Sequence, residues 1–268
     1  MGDLIQRKRQ INELLSNKDI CSRLLSLCDN NKDKADSFKA NLLNIAMDAS
    51  LITCSVQSII KCALDIASLK LPLSKQLGKV YIVPRKKKDK ITNSYITEAE
   101  TMIGYKGWLE LAKRAKLAIK SYIVFKCDKY SLEIVNGNEV LNFAPDFDNR
   151  DESDSEWIKN NLKGVIVIIK DTKLNETYIN FVSSNTLNKI SKCSDSVKNG
   201  KYSAYSDWLS EMYQAKAIKY VVSKSAMTET LGEAVYIDNL SDNQDFNIPQ
   251  NNRLSTENLN KLINENYI

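Results

Sequence analysis

The chain has 268 residues, 43% of them apolar and 26% charged, with a net charge of +5 at pH 7, the composition of a folded globular protein with room for one large domain and small appendages. It contains no histidine, which excludes histidine-based acid–base catalysis, Ser-His-Asp triads and histidine-ligated metals. Its eight glycines form neither GxxxxGK(S/T) nor GxGxxG, which removes a P-loop or Rossmann nucleotide site.

Six cysteines without a CxxC pair argue against a zinc cluster and fit reduced thiols. With no long apolar run and a polar N-terminus, neither membrane spanning nor secretion is supported, and a cytoplasmic protein is expected.

Residues 1–37 predict a polar helical arm with Ile11, Leu14, Leu15, Leu24, Leu25 and Leu27 at helical spacing, suited to subunit contact or to capping the core. Two further helices are expected over residues 39–71. The second buries Ile59, Ile60, Ala63, Ile66 and Ala67, and Pro72 ends it.

The stretch from Gly78 to Lys120 follows. Gly78-Lys79-Val80-Tyr81-Ile82-Val83-Pro84 alternates at period two, with Val80 and Ile82 on one face and Lys79, Tyr81 and Arg85 on the other. A basic tip, Arg85-Lys86-Lys87-Lys88-Asp89-Lys90, leads to a second strand over residues 95–102. Gly104-Tyr105-Lys106-Gly107 then turns into a helix from about Trp108, with Trp108, Leu111, Ala112, Ala115 and Ile119 as the buried stripe and Lys113, Lys116 and Lys120 as a basic one. Residues 70–130 hold 15 Lys or Arg against 5 Asp or Glu, a local +10. Such a strip interleaved with aromatics suits a phosphate backbone whose exposed bases stack.

Short strands are expected over residues 120–125 and 130–135, and Asn136-Gly137 predicts a hairpin into 139–143. Asp146, Asp148, Asp151, Glu152, Asp154 and Glu156 form an acidic loop that reads as solvated rather than as a metal site. Residues 163–170 and 176–182 form another hairpin, so the sheet is mostly antiparallel. Residues 203–227 are helical, with Tyr205, Trp208, Leu209, Met212, Ala215, Ile218 and Val222 on one face and Tyr213, Lys216, Tyr220 and Lys224 opposite.

Residues 229–268 change sign, with 7 Asp or Glu against 2 Lys or Arg. The expected organisation is a helical arm (1–37), a core (38–237), a flexible linker (238–254) and a short terminal helix (255–268) for partner docking, capped by Ser255 or Thr256. The fold class is α+β: a mostly antiparallel sheet with hairpins, packed against several helices.

With these residues laid out, the chain resembles the RecT family of phage recombinases, the ATP-independent single-strand DNA annealing proteins related to Redβ. The motif is Gly78-Lys79-Val80-Tyr81-Ile82-Val83-Pro84 followed by Ile103-Gly104-Tyr105-Lys106-Gly107-Trp108-Leu109-Glu110-Leu111-Ala112-Lys113-Arg114. The chain departs from the family at Ala115-Lys116, where a small residue or glycine is common, and at Lys216-Ala217, where the family shows Lys-Thr. The resemblance implies a β-rich core, rings or helical filaments on DNA, and pairing of complementary strands in a positive groove. It also implies a phage or prophage origin in a bacterial host cell, a partner exonuclease and a host single-strand-binding protein.

Annealing makes and breaks no covalent bond, so no enzyme activity and no cofactor is required, and Mg²⁺ is compatible but not demanded. Lys79, Arg85, Lys106, Lys113, Arg114, Lys216, Lys219 and Lys224 are the expected phosphate contacts, with Tyr81, Tyr105 and Tyr213 as the aromatic members of the groove. Two rival classes are a metal-dependent nuclease using Glu98 and Glu100 and a sequence-specific DNA-binding regulator inserting the late helix into a major groove.

Overall fold

The computed structural model describes residues 2–88, 93–192, 205, 208–225 and 228–242. The linker expected over residues 238–254 starts inside a described helix that runs to Asp242; its remainder and the expected terminal helix lie outside the described residues, as do Asp89 and Lys90 of the basic tip. The chain divides into two compact units: one holds Met1–Leu73, Ile82–Met102 and the residues from Asn239 on, the other Ser74–Tyr81 and Ile103–Asp238.

In the first unit four helices pack on one another: α1 (Gly2–Ser16), α2 (Lys18–Leu27), α3 (Lys32–Ala46) and α4 (Val56–Ser68). Their stripes make the core, with Ile11, Leu24, Leu42, Ile59, Ile60 and Ile66 each at most 2% exposed. Position 37, where a boundary was expected, lies inside α3. The first helix is stitched down by Arg7, whose guanidinium donates to the carbonyls of Ala46, Leu51, Ile52 and Cys54 at 2.8–3.2 Å. Ala46 is the last residue of α3, so a cation there also meets the negative end of the helix dipole. The stop after α4 comes before Pro72: Lys70 takes a left-handed φ of 51°, Lys70 N donates to Ala67 O and Leu71 N to Ile66 O, a Schellman closure.

Strands β1 (Val80–Lys88) and β2 (Tyr95–Ile103) pair as a two-stranded sheet. On the first unit's part of it, Ala99 N donates to the buried Ser58 Oγ of α4 at 2.9 Å.

The second unit is built on a three-stranded antiparallel sheet in the order β3 (Leu117–Phe125), β6 (Leu162–Asp171), β7 (Glu176–Ser183). The intervening strands β4 (Lys129–Val135) and β5 (Asn138–Ala144) form the hairpin that Asn136-Gly137 predicts, with positive φ at both turn residues. Central β6 is apolar on both sides, Val165, Ile166 and Val167 being fully buried. The register explains this. Ser121, Val167 and Asn180 share one face, the one that meets α5 (Tyr105–Arg114) and α8 (Leu209–Lys224). Tyr122, Ile166 and Phe181 share the other, where Tyr122 meets Phe143 and Tyr130 stacks on Phe181 at 4.9 Å. Helices α6 (Ser155–Asn161), α7 (Ser184–Ser191) and α9 (Glu229–Asp242) and three short 3-10 turns are the other described elements. The α+β class with antiparallel hairpins against helices is what the sequence predicts.

Three local expectations are corrected. The helix after Gly104 starts at Tyr105 and stops at Arg114, because Lys116 enters the left-handed region at φ 64° and turns the chain into β3 from Leu117. Ile119 and Lys120 therefore lie on a strand, and Lys120 shares a sheet face with Tyr122 rather than a helical stripe with Lys113. Trp208 stands at the N-terminus of α8, 62% exposed, while Tyr213 is 3% exposed. The late helix is buried on several sides at once, including Ala217, Ile218, Val221 and Val222, so no clean basic back remains.

Candidate nucleic-acid interface

The two motifs that frame the chain lock together through their glycines. Gly78 takes φ 62° after a short 3-10 turn and sends Lys79 back towards α5, where Gly104 N donates to Lys79 O at 3.0 Å. A β-carbon on Gly107 would stand 2.1 Å from that same oxygen, so only glycine lets the first turn of α5 lie on the Lys79 backbone. The Tyr81 ring lies across Gly78 and Gly104, and the Lys106 stem crosses Gly78, its Cδ 3.8 Å from where a β-carbon would be.

With Gly107, Trp108, Leu111 and Ala112 turned inward, α5 presents Lys106, Lys113 and Arg114 outward. Spacings of three, four and seven put these and Glu110 on one stripe, about 10 Å from Lys106 to Lys113 at 1.5 Å per residue. Lys79 joins from the turn: its Nζ lies 3.3 Å from Glu110 Oε2, while Arg114 Nη2 lies 2.9 Å from Glu110 Oε1. The Arg114 guanidinium, and with it the Lys79 ammonium, holds the Glu110 carboxyl below its ordinary value against the opposing effect of burial.

Tyr105 opens α5 and its hydroxyl accepts from Ser121 Oγ of β3 at 3.4 Å, while Gln214 Nε2 of α8 donates to Ser121 O at 3.3 Å. Three elements thus meet at Ser121. Lys216 lies half-buried on α8, and Lys224 is exposed at its end with its ammonium 4.0 Å from the Tyr220 ring.

Three expected contact residues are engaged elsewhere. Lys219 is 6% exposed and pairs at 2.7 Å with Asp238 of α9, whose other oxygen accepts from Ile103 N at 2.7 Å. Tyr213 donates to Asn188 Oδ1 of α7 at 2.9 Å. Arg85 belongs to the first unit, where its Nε lies 3.8 Å from Glu100 Oε2. None of the three offers an open cationic or aromatic surface in this form.

The paired glutamates of β2 are likewise occupied. Lys87 Nζ sits 2.6 Å from Glu100 and 3.7 Å from Glu98. Burial pushes the Glu100 carboxyl upward against the pull of Lys87 and Arg85. Among the described residues no group of three acids or cysteines is placed to hold a metal ion. The acidic loop has structural work instead. Arg150 grips the buried Asp128 with Nε and Nη2 at 3.1 and 2.8 Å and reaches Glu152 with Nη1. Asp128 also accepts from Phe125 N and Asp146 N. Burial alone would raise the Asp128 carboxyl, but these N–H donors and the guanidinium hold it below its ordinary value.

Sequence reasoning missed Glu110, Asp238 and the Arg150–Asp128 pair as organising residues. The Lys106–Glu110–Arg114 spacing of four was a usable signal for the first. Asp238 and Ile103 are too far apart in the chain for any local pattern to relate them.

Fold and stripe together define an α+β protein with an electropositive helix face, the physical kind that meets polyanions. The RecT family model matches residues 36–251, and the chain belongs to that family, whose members act in single-strand annealing during phage-type DNA recombination. No curated protein matches the chain closely enough for comparison. Among the described residues no helix is long and apolar enough to cross a membrane.

Proposed function

We propose that this chain is an ATP-independent single-strand DNA annealing protein that holds one strand along the α5 stripe and tests a second against it as a homo-oligomer, ring or filament. Lys79, Lys106, Lys113 and Arg114 take phosphates, with Lys216 and Lys224 extending the track and Tyr81 and Tyr105 serving the bases. The observation that carries the reading is the Lys106–Lys113–Arg114 face of α5, fixed by the glycine contacts to the Lys79 turn.

Cations on a rigid helix neutralise backbone without reading sequence, which leaves base edges free to pair. Each stacked base adds about 1 to 3 kcal/mol, so contacts repeated over many subunits hold a strand extended where one subunit binds weakly. The protein also binds the annealed duplex intermediate, works alongside a phage exonuclease and a host single-strand-binding protein, and acts in the bacterial cytoplasm.

The test is annealing of two complementary labelled oligonucleotides added in sequence without ATP, with and without Mg²⁺. Accelerated duplex formation is expected. Shortened product would favour a nuclease, and strong preference for one duplex sequence would favour a regulator.

A further inference from the structure

The cationic stripe contains one anion, and its position is specific. Glu110 lies at the centre of the outward face of α5, four residues after Lys106, three before Lys113 and four before Arg114. Its two oxygens are divided between two cations from different parts of the chain: Oε2 takes Lys79 Nζ at 3.3 Å, and Oε1 takes Arg114 Nη2 at 2.9 Å and Nε at 3.3 Å. All three side chains are about one-third exposed or less, and the Lys79 backbone cannot shift away because Gly104 and Gly107 clasp its carbonyl.

A carboxylate that bridges two cations with separate oxygens has the connectivity of a backbone phosphate bridged by its two non-ester oxygens. Resting on the annealing reading above, the geometry points to Glu110 as an internal stand-in for a nucleic-acid phosphate: it keeps Lys79 and Arg114 aligned in the free protein, and a strand must displace it to engage them. Binding is then an exchange of one anion for another at a preformed pair.

The consequence is a built-in limit on affinity. Each phosphate arriving at this point competes with an anion already in place, so the strand is held less tightly than the local cations alone would hold it. An annealing protein gains by this, since a strand that fails to pair has to be released and tried again.

The test uses the full chain and labelled oligothymidylate, with fluorescence anisotropy over a salt series. Glu110→Gln keeps the shape and removes the charge. It is expected to bind about three- to tenfold tighter at low salt, with a slower off-rate. Its log Kobs against log salt should keep the parent's slope, because the same phosphates are neutralised once Glu110 has been displaced. Weaker or unchanged affinity in a folded variant overturns the inference.

Should Glu110→Gln fail to fold, Glu110→Asp retracts the carboxylate by one methylene and is expected to tighten binding in the same direction by a smaller factor. Weaker binding there also overturns it. A parent chain without affinity for oligothymidylate sinks the annealing reading and this inference together. A parent that binds while Glu110→Gln binds no tighter sinks this inference alone.

Discussion

Gly107 lies so close to Lys79 that a β-carbon on the glycine would stand 2.1 Å from the lysine carbonyl oxygen. The contact positions a helix bearing three exposed cations against the turn that supplies a fourth, so the shape of the stripe depends on an absent methyl group. Gly107→Ala is expected to lower stability by about 1 to 3 kcal/mol through overpacking against backbone. Gly232→Ala is the control, since nothing lies within 4 Å of its added β-carbon. In mid-helix that change should be neutral or stabilise by about 0.5 to 1 kcal/mol. Urea denaturation of the two variants makes the comparison.

Lys113 and Lys219 separate exposed from enclosed charge. Changing Lys113 and Arg114 to Ala should weaken binding to all single-stranded sequences alike and flatten the salt dependence by roughly 0.7 per lost phosphate contact, with the melting temperature little changed. Lys219→Met should do the reverse. It strands Asp238 without its cation in the interior, with a loss of about 3 to 5 kcal/mol in stability and no change in salt slope of whatever binding persists. Anisotropy and thermal melting on both variants decide.

Asp128 and Arg150 give the molecule an acid limb. The folded carboxyl titrates below its unfolded value of about 3.9, so its stabilisation is complete above that value and is lost as pH falls through the lower folded one. Stability measured from pH 6 to pH 2 should therefore decline less steeply in Asp128→Asn than in the parent. Arg150→Ala leaves the buried anion behind and should lose about 3 to 5 kcal/mol at pH 7.

Cys62 is sealed in α4, and burial pushes its thiol up to about 12. At pH 8 it should resist alkylation in the native protein and react at once in denaturant. Mass mapping of iodoacetamide adducts checks this.

The β4–β5 hairpin was legible because its determinants are local: Asn136 and Gly137 supply both positive-φ residues of a two-residue turn. The end of α5 was not, because Lys116 takes the left-handed conformation that glycine or asparagine usually signals, and Thr172 N, donating to Lys116 O, comes from 56 residues away. The stripe itself was half legible. Cations at Lys106, Lys113 and Arg114 declare themselves by spacing, whereas Trp208 and Tyr213 exchanged faces because packing from several sides, rather than one apolar stripe, decides what α8 buries. Local chemistry is written in neighbouring residues, and enclosure is written in residues that meet only after folding.

The enclosure of α8 also sets a threshold for opening. Ala217, Ile218, Lys219, Val221 and Val222 are all shielded, so the amide protons of this stretch are expected to exchange through opening of the surrounding structure rather than by local fraying. The slowest-exchanging of the described segments should fall there, and their protection gives the free energy of the opening that also takes apart the α5 platform beside them.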